Sequence, residues 1–126
     1  ADNMLQETSY AFKSAQRRFE MQELRRDTQF LRGPTLGFGA KDPELVGKLL
    51  KMAALLQQEG SWDARLASVF LDLALVCEVH GDYSMGVATG GKALQIKKDC
   101  QGSDFPEYHQ YAAAVERIKM KAARGG

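Results

Sequence analysis

The sequence predicts an all-α domain of antiparallel helical hairpins, about five helices with a long one at the N-terminus. Three observations predict it. Apolar residues recur every three or four positions through most of the 126 residues, the period of a helix with one buried face. Runs of β-branched residues bounded by turn signals are missing, so no sheet is expected. Glycines at Gly60, Gly81 and Gly102 punctuate the second half, and such short connections favour antiparallel packing of successive helices.

The chain reads as a single helical domain over residues 1–126: a long helix at 1–32, a linker at 33–42 and helical hairpins over 43–124. From about Met4 to Leu31 there is neither Gly nor Pro, and Leu5, Phe12, Ala15, Phe19, Leu24 and Leu31 recur with charge between them. That pattern is a long amphipathic helix, ended by Gly33-Pro34. The linker holds Gly33, Pro34, Gly37 and Gly39, with Leu36 and Phe38 placed to pin it to the core. Asp42-Pro43-Glu44 starts the second helix, with Asp as N-cap, Pro at the first helical position and Glu in the first turn. Its buried face is expected to carry Leu45, Leu49, Met52, Ala53 and Leu56, and Gly60 stops it. Ser61 or Trp62 is expected to open the third helix, with Asp63 near the positive end of its dipole. The third helix buries Leu66, Val69, Phe70, Leu73, Ala74 and Cys77, and ends at Gly81 in the C′ position. Asp82 caps the fourth, which carries Tyr83, Val87, Gly90, Leu94 and Ile96 and runs to about Asp99. Ser103 or Asp104 is expected to cap the last helix, which carries Tyr108, Tyr111, Ala112, Val115 and Ile118.

Composition narrows the function classes. Hydrophobic residues make up 44% and charged residues 26% of the chain, the balance of a globular domain. A formal net charge of +1 supplies no strong field for nucleic acid or acidic membranes. Charge interrupts every apolar segment before the ~20 residues of a membrane span. The start, Ala1-Asp-Asn-Met-Leu-Gln, has no basic region followed by an apolar one, so this stretch is not expected to be a secretory signal. Helix-like sequence follows Ala1 at once, and a piece of a longer chain is expected. Two cysteines, Cys77 and Cys100, make no disulfide framework, and an intracellular, reducing compartment, cytoplasmic or nuclear, is expected.

A local pattern runs from Leu66 to Pro106. Phe70, Leu73, Ala74 and Cys77 lie on one helix, Gly81-Asp82-Tyr83 forms the turn, and Gly86, Gly90, Ala93 and Leu94 fall at small and aliphatic positions of the next. This resembles a tetratricopeptide repeat. Lys92-Ala-Leu-Gln-Ile96 followed by Gly102-Ser-Asp-Phe-Pro106 is similar to the longer repeats of kinesin light chains. It also looks like the C-terminal helical region of SET/MYND-type protein lysine methyltransferases, especially fungal ones. The resemblance covers about residues 60–120, with 66–106 the best-matching repeat. Gly90 departs from it, standing where the repeat usually has an aromatic. The resemblance implies an interaction module, flanking a catalytic domain if the SET-type likeness holds. Small residues such as Ala74 and Gly86 let two helices approach to ~8–10 Å. The three glycines Gly86, Gly90 and Gly91 cost ~1 kcal/mol each relative to Ala, so they mark close packing, with the long first helix as one candidate neighbour.

Few residues suggest chemistry. Cys77 and His80 form a Cys-x-x-His pair, and Cys100 and His109 follow; the four invite a zinc reading. Against it stands a core cysteine with a helix-end histidine facing terminal carbonyls, and no metal or other cofactor is assigned. Nothing supplies an oxyanion hole for a cysteine nucleophile, so no catalytic residue is assigned. Gly33-Pro-Thr-Leu-Gly-Phe-Gly39 lacks the Lys-Ser or Lys-Thr of a phosphate loop. Basic residues such as Arg17-Arg18, Arg25-Arg26 and Lys97-Lys98 alternate with acids and read as a solvated face.

The expected function is therefore non-catalytic binding of a protein, a peptide or a neighbouring domain, with Trp62, Tyr83, Tyr108 and His109 as candidate contacts and neither nucleic acid nor membrane as partner. The alternative is a helical scaffold that forms a homodimer through its first helix, using Phe12, Phe19 and Leu31 as the interface stripe.

Overall fold

The computed structural model describes residues 2–32, 43–102 and 104–125, with side chains described over 11–28, 44–102 and 104–125. The 33–42 linker lies outside the described residues, as do the side chains of Leu5 and Leu31. Among the described residues the structure is all-α: α1 (Asp2–Arg32), α2 (Pro43–Gln58), α3 (Ala64–His80), α4 (Tyr83–Gln101) and α5 (Pro106–Ala123). Each helix packs on the next in sequence, and α3 also touches α5. None is long and apolar enough to cross a membrane.

The turns are built from local hydrogen bonds. At Gly81, φ is +80°, a left-handed backbone that L side chains resist. There Gly81 N–H donates to the Glu78 carbonyl at 3.1 Å and Asp82 N–H to the Cys77 carbonyl at 2.9 Å, a Schellman closure. Asp82 then caps α4 by accepting from Met85 N–H at 3.3 Å. Gly60 ends α2 in the same way, with Ser61 N–H reaching the Leu56 carbonyl at 2.9 Å.

Two helix starts differ from expectation. Asp63, rather than Ser61 or Trp62, is the N-cap of α3. Its extended backbone turns the carboxylate onto Arg65 N–H at 3.0 Å and Leu66 N–H at 3.4 Å, satisfying two of the helix's orphan donors. Phe105 caps α5 by backbone alone. Pro106, with its preset φ and no N–H, takes the first helical position and leaves one donor fewer to cap. Asp104 therefore stands outside the cap, and Ser103 lies outside the described residues.

The core centres on α3, whose Leu66, Val69, Phe70, Leu73, Ala74 and Cys77 are all buried, as are Leu45, Leu49, Met52, Ala53 and Leu56 of α2. These are the expected faces. In α4, Gly90 and Ile96 are buried, while Tyr83, Val87 and Leu94 are half-buried. In α5, Val115 and Ile118 are buried, and Tyr108, Tyr111 and Ala112 are half-buried.

Gly86 and Gly90 pack between α3 and α5 rather than against α1. A Cβ on Gly86 would lie 3.1 Å from Ile118 Cγ2 and 3.4 Å from the Ala74 carbonyl. A Cβ on Gly90 would lie 2.8 Å from Val115 Cγ2. Gly91 faces open space, so close packing explains two of the three.

Helix α1 buries Leu24 of its predicted face but departs from it at Phe12, Ala15 and Phe19. It turns Met21, Leu24 and Thr28 to the core, with Thr28 Oγ1 bonded to the Arg25 carbonyl at 3.1 Å and 3.8 Å from Met52 Sδ. Phe12, Ala15 and Phe19 are exposed instead. The sequence holds two stripes at helical spacing, and α2 receives only one of them.

Candidate functional site

Helices α1 and α3 flank α2, and a groove runs between them. Its floor is apolar, from Met21, Met52, Leu56 and Val69. Its walls carry Arg25 on α1 and Arg65 on α3, and these two arginines line both of its hollows, of about 180 Å³ and 410 Å³. Arg65 is held at the mouth by its own helix start: Nη2 donates to Asp63 Oδ2 and to Ser61 Oγ, each at 3.0 Å. Its guanidinium holds the Asp63 carboxyl below the usual carboxylate range. Glu59 and Asp72 also line the groove, so it is a mixed-charge cleft with arginine on both sides of an apolar floor. Such convergent polar groups over an apolar floor suit recognition.

The corresponding gap between α3 and α5 is closed by ion pairs. Glu78 accepts from Arg117 Nε and Nη2 at 2.8 Å each, and from Lys121 Nζ at 2.8 Å. The bidentate arginine and the lysine hold the Glu78 carboxyl down at about 2. Along α4 and α5, Lys97 is buried, donates to Gln101 Oε1 at 3.0 Å, pairs with Glu107 and lies 5.2 Å from the Tyr111 ring centroid. Burial pushes the Tyr111 phenol up. Both clusters tie helices together.

The expected contact residues divide between two ends of the helix stack. Trp62 is 52% exposed. Its Nε1 donates to Asp99 Oδ2 at 3.0 Å, Asp99 Oδ1 accepts from Gln95 at 2.8 Å, and the Cys100 thiol donates to the Trp62 carbonyl at 3.0 Å. Tyr108 and His109, with ring centroids 6.0 Å apart, start α5 at this same end. Tyr83 starts α4 at the other end, 16 residues from Asp99 and so ~24 Å away along the helix. None of the four lines the α1–α3 groove.

The zinc reading fails on geometry. Cys77 and His80 close α3 beside the Gly81 turn, whereas Cys100 lies at the far end of α4. Among the described residues no group of three or more His, Cys, Asp or Glu is placed to hold a metal ion. Cys77 is buried, and burial pushes its thiol up.

Sequence reasoning missed the groove arginines because their charge is balanced along the chain. The Glu78 clamp left a faint signal, an acid near the end of the apolar α3 opposite an Arg–Lys pair four residues apart on α5. Compared with known protein families, curated proteins and solved structures, the chain finds no match, so the tetratricopeptide and SET/MYND resemblances rest on the residues quoted above.

Proposed function

We propose that the chain is a non-catalytic protein-interaction module whose α1–α3 groove receives a segment of a partner protein. The observation that carries this reading is the pairing of Arg25 and Arg65 on opposite walls above Met52, Leu56 and Val69. Apolar side chains of the segment bury on the floor, and its carboxylates pair with the two arginines. The tetratricopeptide-like residues support a binding role. The SET/MYND likeness supports a position beside the catalytic domain of a longer protein lysine methyltransferase, whose active site would lie outside this chain.

The test is fluorescence anisotropy with a labelled peptide library alternating Leu with Glu. Selected peptides should lose roughly tenfold in affinity, ~1.4 kcal/mol, for each of Arg25→Glu and Arg65→Glu. A library in which Lys replaces Glu should yield no binders. Binding that is indifferent to both reversals overturns the groove reading. The scaffold alternative is favoured by a separate observation, the outward exposure of Phe12 and Phe19, on a different face of α1.

A further inference from the structure

Helix α1 presents an apolar seam to solvent. Phe12 is 69% and Phe19 60% exposed. They are seven residues apart, with exposed Ala15 between them and exposed Gln22 after them. That is the a–d–a–d order of a coiled-coil seam. At ~100° per residue, Phe19 lies ~200° around the helix from Met21, so Phe12 and Phe19 face away from α2, while Gln22 at the edge of the seam and Arg18 beside it also line the smaller hollow of the groove. In the sequence the same spacing reaches back to Leu5.

The charges beside the seam select its partner. With Phe12 and Phe19 at a positions, Arg18 falls at g and Glu23 at e, and both are exposed. In a parallel pair of identical helices, a g residue meets the e residue of the next heptad on the other helix. Arg18 of each copy then meets Glu23 of the other, twice by symmetry. In an antiparallel pair g residues face g residues, which brings Arg18 and Arg25 of one copy against those of the other. Self-pairing in parallel is thus the arrangement whose charges match.

We propose that the chain self-associates as a parallel homodimer through the outward face of α1, with Phe12, Ala15, Phe19 and Gln22 in the seam and reciprocal Arg18–Glu23 pairs beside it. Four phenylalanines already partly covered in the monomer bury together only about 500 Å², below the range of stable specific interfaces, so the dimer is weak and reversible. The proposal gives identity and direction to the scaffold alternative; because Arg18 and Gln22 also border the groove, it is read out by chain mass and not by peptide binding.

Sedimentation equilibrium of the whole chain over roughly 1–300 μM tests it, reading dissociation constants. The wild type is expected to pass from one to two chain masses. Phe19→Asp and Phe12→Asp, at positions exposed in the monomer, should remain at one mass with unchanged circular dichroism. Arg18→Glu and Glu23→Arg should each weaken association about tenfold, and the double reversal should restore it. In a Cys100→Ser background, Ala15→Cys and Gln22→Cys should both cross-link to themselves, which an antiparallel pair permits at one crossing only. A wild type that stays at one mass, or a dimer unaffected by Phe19→Asp, overturns the proposal. Failure of the double reversal to restore association overturns its parallel direction.

Discussion

Replacing Gly90 by Ala tests the tightest contact in the fold. Alanine in a helix interior is favoured over glycine by ~1 kcal/mol, so propensity alone predicts stabilisation. The packing predicts the reverse. The new Cβ would sit 2.8 Å from Val115 Cγ2 and 3.5 Å from Ala74 Cβ. Val115 is buried, and its β-branched side chain has one strongly preferred rotamer in a helix. Overpacking of this kind costs about 1–3 kcal/mol, leaving Gly90→Ala destabilised by about 1 kcal/mol. The neighbour Gly91 meets nothing within 4 Å, so Gly91→Ala should gain about 0.5–1 kcal/mol. The gap of roughly 2 kcal/mol corresponds to several degrees in Tm for a chain of this size. Urea unfolding followed by circular dichroism at 222 nm measures both variants. Adding Val115→Ala to Gly90→Ala should cost less than the two single changes summed, by about 1 kcal/mol or more, because it removes the clashing methyl. Equal stabilisation by both glycine replacements would show that α4 and α5 do not close at Gly90.

Two further outcomes follow from named side chains. The Glu78 carboxyl is held at about 2, from an ordinary 4.5, so its contribution to stability is full above pH ~4.5 and lost as pH falls towards ~2. At ~1.4 kcal/mol per unit the ceiling is roughly 3 kcal/mol. Arg117 and Lys121 are half exposed, and solvent screening brings the expected loss to about 1–2 kcal/mol. Urea midpoints should fall more steeply over that pH window in the wild type than in Glu78→Gln, and parallel profiles would show that the clamp does not act. Thiol labelling of the native protein should modify exposed Cys100 at once and buried Cys77 only on unfolding; protection of both thiols by equimolar zinc would restore the four-ligand reading.

Much of the architecture was legible because its signals are local. Gly81-Asp82 encodes a Schellman exit followed by a carboxylate cap within two residues, and both features stand in the structure. The buried faces of α2 and α3 follow from apolar spacing alone. The start of α3 was misplaced by one or two residues because Ser61, Trp62 and Asp63 all suit a helix entrance, and only the side-chain direction of Asp63 separates them. Trp62 was legible as an exposed aromatic, but not its bond to Asp99, 37 residues away. The groove was not legible at all, since Arg25 and Arg65 lie on helices that meet only across α2.

The sequence by itself determined that the chain is helical, where its tight turns fall and which stripes of each helix are apolar. These follow from periodicity and capping, which act over a few residues. The tertiary structure decided which of the two α1 stripes enters the core, that Gly86 and Gly90 admit α5, and which charges face a clamp or a groove. Those outcomes depend on the neighbour each face meets, and α2 has room for one stripe of α1. The other, with Phe12 and Phe19, stays exposed.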